Sequence, residues 1–237
     1  MTVGGRHREY LRRGIDCAPE DEQFSLFAEP FSTRIPAMSR PRKQPRQQRS
    51  RATWDAILDA AAQLFGELGY AATTTNKVAD RAGVSIGSLY QYFPDKDALL
   101  LALAERHLSE ATAVLVEAFA ALQQDRPDLE GTLSRLIDAV VALHRRDPAM
   151  HRLLFDQTPR TPEMAARLRS LEQQLAAAVA TELKRLGVGG PVPEARALLL
   201  VQAVEAQVHG AVLDPPDDVP VDVLVHELRV LWLRALR

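Results

Sequence analysis

Thr74-Thr75-Asn76-Lys77-Val78-Ala79-Asp80-Arg81-Ala82-Gly83-Val84-Ser85-Ile86-Gly87-Ser88-Leu89-Tyr90-Gln91-Tyr92-Phe93 is the stretch on which the fold turns. Thr74 and Ser85 each offer a hydroxyl oxygen to the free N–H groups that open a helix. Between them, Gly83 can take the positive φ of a tight inter-helix bend, and Val84 can plug the angle. The pattern predicts short helices over about 75–82 and 86–92, a helix-turn-helix. Val78, Ala79, Ala82, Leu89 and Phe93 face inward. Ser88, Tyr90, Gln91 and Tyr92 give the second helix an outer face of a hydroxyl, two phenols and an amide. Short polar groups of that kind reach base edges and phosphates in a major groove.

Upstream, Ile57, Leu58, Ala61, Leu64, Phe65 and Leu68 fall at spacings of one, three and four, one face of an amphipathic helix. Gly69 is expected to end it. Downstream, Asp95, Asp128, Asp147-Pro148, Thr161-Pro162, Pro193 and Pro220 each open an apolar-periodic segment. Proline is favourable in a first helical turn, where its missing N–H had no partner. The resulting helices span about 95–122, 129–145, 148–156, 162–187, 193–212 and 220–236. No segment reads as a strand or an internal repeat, so the fold class is all-α: an N-terminal three-helix head and a helical trunk.

Composition agrees. Of 237 residues, 46% are hydrophobic but only 5% aromatic, so the core must be built from helix-forming Leu and Ala together with Val. The single cysteine, Cys17, excludes an intrachain disulfide and a cysteine-rich metal site. No apolar run is long enough to span a membrane, and the N-terminus has no apolar signal segment. A cytoplasmic location is the expectation. Residues 38–96 carry nine Lys and Arg against five acids, whereas residues 97–237 carry fifteen against twenty. A basic head on an acidic body fits a polyanion-binding module on a partner-binding trunk. The organisation expected is a disordered or loosely packed leader at 1–37, which shows no clean periodicity, a basic arm at 38–50, the head at 51–96 and the trunk at 97–237. Met38, directly before the arm, reads as a candidate translation start that would leave 1–37 outside the native chain.

The ordered set Ile57-Leu58, Ala60-Ala61, Leu64-Phe65, Gly69-Tyr70, Thr73-Thr74, Val78-Ala79, Ala82-Gly83-Val84-Ser85, Gly87, Leu89-Tyr90, Tyr92-Phe93, Lys96 and Leu99 resembles the DNA-binding domain of TetR-family regulators. Val78 stands where Ile is commoner, and Ile86 where a polar or basic residue is frequent. The resemblance implies phosphate or sugar contacts from Ser88, Tyr90, Tyr92 and Lys96, and backbone contacts from Thr74 and Thr75. It places Ser85, Ile86, Gly87 and Gln91 nearest the bases, with Gln91 suited to adenine. Arg46, Arg49 and Arg51 of the arm would follow the backbone or enter a minor groove.

The resemblance also implies a divergent trunk that binds a small effector, and a two-fold dimer through a four-helix bundle. Polar or aromatic residues inside apolar segments are the pocket candidates: His107, His144, His151, Phe155, Gln202 and His209. The histidines lack the tight sequence spacing of a metal site, so no metal or cofactor is expected. The last two helices are apolar around most of their circumference and must be covered on several sides. Leu198, Val201, Val208, Leu224, Leu228, Leu231 and Trp232 are the expected dimer contacts. The function implied is an effector-released repressor on a palindromic operator. Two alternatives remain: a helical binding protein or enzyme that keeps a vestigial head, and a helix-turn-helix used for protein contact. No nucleophile–base arrangement, paired carboxylates or phosphate loop supports the first.

Overall fold

A computed structural model describes Pro41, residues 48–158 and residues 161–237. The leader, Met38 and the arm residues Arg40, Arg42, Lys43 and Arg46 lie outside the described residues. Among the described residues there are nine helices and no strand, and all nine helices belong to one compact unit.

The head is assembled on α1 (Gln48–Ala72), whose Ile57, Leu58, Ala61, Leu64 and Phe65 are buried at the predicted periodicity. Gly69 breaks the helix where expected, although a further short turn follows it. Its φ of 76° and ψ of 166° break the helical geometry, and the chain continues as a helical turn to Ala72. Leu68, expected inward, is exposed. Thr73 is fully buried and anchors the bend, its Oγ1 serving the carbonyls of Leu64 (3.1 Å) and Gly69 (2.8 Å). The bend aims the chain into α2 (Thr75–Arg81), which starts where Lys77 N donates to Thr74 Oγ1 at 3.3 Å. Gly83, at φ 68°, makes the turn. Then α3 (Ile86–Tyr92) opens with Ser88 N donating to Ser85 Oγ at 3.1 Å.

Asp95 caps α4 (Lys96–Asp125) through Ala98 N at 2.9 Å. Ala98, Leu99, Leu100, Ala102 and Leu103 of α4 are buried in the head's core, which therefore does not stop at residue 96. The remaining helices are α5 (Leu129–Arg146), α6 (Pro148–Gln157), α7 (Pro162–Arg185), α8 (Pro193–Leu213) and α9 (Val221–Leu236). Asp128, Asp147 and Thr161 cap α5, α6 and α7 with their side chains, as their sequence positions suggest. A second core joins α5, α7, α8 and α9 through Leu133, Ile137, Val179, Leu200, Val208 and Leu228. Short α6 leaves that group. Leu154 is buried in the head's core, with Met150 and Leu153 packed beside it. One short trunk helix is thereby seated on the head.

Candidate functional site

Two sites emerge, one on α2–α3 and one where α5, α6 and α8 meet beside α4. On the first, Ile86, Gly87, Tyr90 and Gln91 are exposed on α3, and Thr74 is exposed at the start of α2. Tyr90 Oη and Thr75 Oγ1 share a hydrogen bond of 3.1 Å, and Ser85 Oγ and Ser88 Oγ share one of 2.8 Å. These bonds hold four hydroxyls along one surface. A Cβ built on Gly87 would meet only Ser85 Oγ, at 3.9 Å. Nothing inside the protein therefore requires a glycine at that position. Arg49 and Arg51 are exposed on the first turns of α1.

Two residues of the expected DNA face sit differently. Tyr92 is not on the outer face: its ring is 9% exposed and meets Trp54 edge-on, with centroids 6.0 Å apart. Its hydroxyl shares a 3.0 Å bond with Ser50 Oγ. The reason is angular. Tyr92 lies three residues from Leu89, so it follows that side chain to the inner face, whereas Tyr90 and Gln91 do not. Lys96 is half-buried and turned onto its own chain. Its Nζ donates to the carbonyls of Tyr70 (3.0 Å) and Ala71 (3.5 Å) and lies 4.2 Å from the centre of the Tyr70 ring. An ammonium at the carbonyl end of α1 is electrostatically favourable there. Beside it, Tyr70 donates to Asp97, and desolvation together with that carboxylate pushes the phenol pKa up.

The second site gathers five of the six expected pocket residues. His107 of α4 and His151 of α6 share a 3.0 Å bond between Nε2 and Nδ1. The His144 ring, from the end of α5, lies 4.1 Å from that of His151, and the His209 ring lies 5.7 Å from His151. Phe155 stacks 4.2 Å from His209. Gln202 is not part of this group. It is exposed and donates to Glu172 at 2.6 Å, because α8 turns its side chain toward α7. The residue missed is Glu205, whose Oε1 lies 3.6 Å from His144 Nε2. Its signal was the four-residue step to His209, which puts both on one helix face. Burial pushes the imidazoles of His107 and His209 below their ordinary value, and that of His151 down to about 4. Burial acts against protonated His144 too, but the Glu205 carboxylate outweighs it and the pKa rises. Desolvation likewise favours the neutral acid at Glu205, and His144 overcomes it, lowering that pKa.

Beside this group, Leu115, Ile137, Val179, Leu200 and Val204 line an apolar cavity of about 60 Å³ that Glu205 also borders. The expected dimer residues divide. Leu198 and Leu231 are exposed on the single chain, and Leu224 is half-buried. Val208 and Leu228 belong instead to the chain's own core, Val208 with no exposure at all. Half-buried Val201 packs on that core and lines the cavity. Trp232 is half-buried and donates Nε1 to Gln207 Oε1 at 2.9 Å. The inward stripe of α8 serves α5 and α7, so only part of its apolar circumference remains outside.

A capped helix-turn-helix on an all-helical trunk defines a class of bacterial regulator, and comparison with known proteins gives the family. Residues 57–103 match the tetR family of bacterial regulatory proteins, and residues 128–236 match the tetracyclin repressor-like C-terminal domain. The chain belongs to the TetR family, whose members are transcription regulators rather than enzymes. It is 32% identical over 114 residues to the HTH-type transcriptional activator FasR of Mycolicibacterium smegmatis, covering 48% of this chain and 50% of that one. It is 30% identical over 121 residues to the HTH-type transcriptional regulator YvkB of Bacillus subtilis, covering 50% and 64%. The match thus spans less than two thirds of either relative. A third relative, the HTH-type transcriptional repressor KstR of Mycobacterium tuberculosis, is 44% identical over 57 residues, 24% of this chain and 26% of that one. In fold, the chain is similar to a Rhodococcus sp. RHA1 protein of unknown function, with TM-score 0.63 and 22% identity over 78% of this chain and 95% of that one. It is also similar to the fatty acid degradation regulator FadR from Bacillus halodurans, with TM-score 0.58 and 19% identity over 82% and 98%.

Proposed function

We propose that this chain is a sequence-specific, DNA-binding transcription regulator that works in the cytoplasm as a homodimer on a palindromic operator, most simply as a repressor released by a small-molecule effector. The observation that carries this reading is the open polar surface of α2 and α3. Thr74, Thr75, Ser85, Ser88, Tyr90 and Gln91 lie together there, around a glycine that the fold itself does not need. Hydroxyls and helix-start N–H groups can grip phosphates, while Gln91 and the Ile86–Gly87 edge reach into the groove. Arg49 and Arg51 extend the positive surface, and Arg46 belongs to the same arm. Tyr92 and Lys96 take indirect roles: the first props α3 against α1, and the second holds the end of α1. No helix among the described residues is long and apolar enough to cross a membrane.

Leu198, Leu224 and Leu231, on the outer sides of α8 and α9, are the dimer contacts this reading retains. Two-fold symmetry would set two copies of α3 at successive major grooves. The effector would act in the trunk, around the His144–His151–His209 group and the adjoining cavity, and α4 and α6 would carry its effect to the head. A preference of about 1–3 kcal/mol for one of two trunk states changes DNA affinity several-fold to about a hundredfold.

Selection of double-stranded DNA from a random pool by the purified full chain tests this. Expected is a palindromic consensus whose binding weakens steeply with salt, since each neutralised phosphate releases counterions. Recovery of no consensus, or binding indifferent to salt, would overturn it.

A further inference from the structure

Four of the chain's six histidines converge on one junction, one each from α4, α5, α6 and α8, and α8 also brings Glu205. Within this group, His144, His151, Glu205 and His209 each present one donor atom, and the four atoms all lie within 4.8 Å of one another.

The hydrogen bonds decide which ring nitrogens are available. His144 Nδ1 lies 2.9 Å from the carbonyl oxygen of Val140. A carbonyl only accepts, so Nδ1 carries the hydrogen and Nε2 of the neutral ring is left with its lone pair. That Nε2 is buried and has no hydrogen-bond partner. Glu205 Oε1, 3.6 Å away, is beyond hydrogen-bond length. His209 Nδ1 is likewise buried without a partner. Two buried ring nitrogens without a hydrogen bond in one cluster are unusual, because buried polar atoms are almost always satisfied, and only His144 has the Glu205 carboxylate nearby to offset the loss. A cation between them would satisfy both at once. His151 is held by its Nδ1 bond to His107 Nε2, and an imidazole oriented through its second nitrogen is the ordinary state of a metal-ligating histidine. The Val140 carbonyl gives His144 the same support.

We propose that His144, His151, Glu205 and His209 bind one divalent first-row transition-metal ion, with His107 and the Val140 carbonyl as the outer shell that orients the ligands. Three imidazoles and one carboxylate are borderline donors that suit zinc, cobalt or nickel rather than the all-oxygen preferences of calcium and magnesium. Metal–ligand bonds of about 2.0–2.2 Å put tetrahedral ligands about 3.4 Å apart, so the widest pairs of the present group must close by up to about 1.4 Å. Glu205 can supply much of that movement, being 57% exposed at the mouth of the site, where an ion would enter. His151 sits on the same short helix as Leu154, which is buried in the head's core. Binding is thus placed one helix away from the DNA-reading module. The metal site does not depend on the DNA-binding reading, and it is tested on the protein alone.

The test uses the purified full chain, stripped by chelator and dialysed, and titrated with cobalt(II). Expected is visible absorption of the four-coordinate type that saturates at one ion per chain and is bleached by zinc(II). His209→Asn and Glu205→Gln together should abolish the band, and His107→Gln should weaken binding about 10–100-fold. His226→Ala, at an exposed site on α9 outside the group, should change nothing. Should the paired variant fail to fold, X-ray absorption on the wild-type zinc complex decides: a shell rich in imidazole supports the site, and an all-oxygen shell overturns it. Absence of the cobalt band, or a band that survives in a folded His209→Asn/Glu205→Gln chain, would equally overturn it.

Discussion

Replacing Gly87 by alanine separates a residue kept for its partner from one kept for the fold. Gly87 is the second residue of α3, is not among the positive-φ glycines, and has no atom nearer than 3.9 Å to the position of a new Cβ. Alanine in a helix is favoured over glycine by about 0.5–1 kcal/mol, since it loses less backbone freedom on folding. For a chain of this size that corresponds to a rise in melting temperature of about 1–4 °C. The same methyl group stands on the surface that would meet DNA. Were it to hold the groove edge away and cost one good contact, affinity would fall about tenfold, the equivalent of about 1.4 kcal/mol. Scanning calorimetry and fluorescence anisotropy on the selected operator, with wild type and Gly87→Ala side by side, read the two effects independently. A more stable protein that binds operator less tightly is expected. A variant that binds as well as wild type, or that loses stability and affinity together, would refute the assignment of Gly87 to the DNA surface.

Other perturbations probe the remaining links. Leu154→Ala empties a buried position where α6 meets the head; it should cost about 2–5 kcal/mol in denaturant unfolding and weaken operator binding, although it touches no DNA. Leu231→Glu, at an exposed site, should leave the monomer's helicity intact by circular dichroism while lowering the mass seen in sedimentation, whereas Val208→Glu should abolish folding because that site is fully covered within one chain. Tyr92→Phe removes only the bond to Ser50 and keeps the packing on Trp54. It should cost about 1 kcal/mol in unfolding, and operator affinity should fall modestly rather than vanish, as it would if the phenol held a phosphate directly.

Local chemistry made the head legible in the linear chain. Thr74, Ser85, Asp95, Asp128, Asp147 and Thr161 cap the helices where their positions suggest, because a cap needs only a hydroxyl or carboxylate within three residues of a free N–H. The periodicities of α1 and α3 sort core from surface at nearly every position for the same reason: side chains three and four apart share a face whatever lies around them. Tyr92 escaped that logic because its polar hydroxyl suggested exposure, while its register and the aromatic neighbour Trp54 drew the ring inward. Lys96 escaped it because its partner, the carbonyl end of α1, lies some twenty-five residues away.

What the chain alone determined, then, was the set of elements, their starts and the polar face of α3, all products of contacts within a few residues. Only the tertiary structure decided which sides of α8 are covered, that α6 belongs with the head, and that His107, His144, His151, Glu205 and His209 form one cluster. Those outcomes depend on how amphipathic helices pair in three dimensions. Several pairings would bury similar apolar area, and sequence spacing says nothing of which side chains from distant turns then meet.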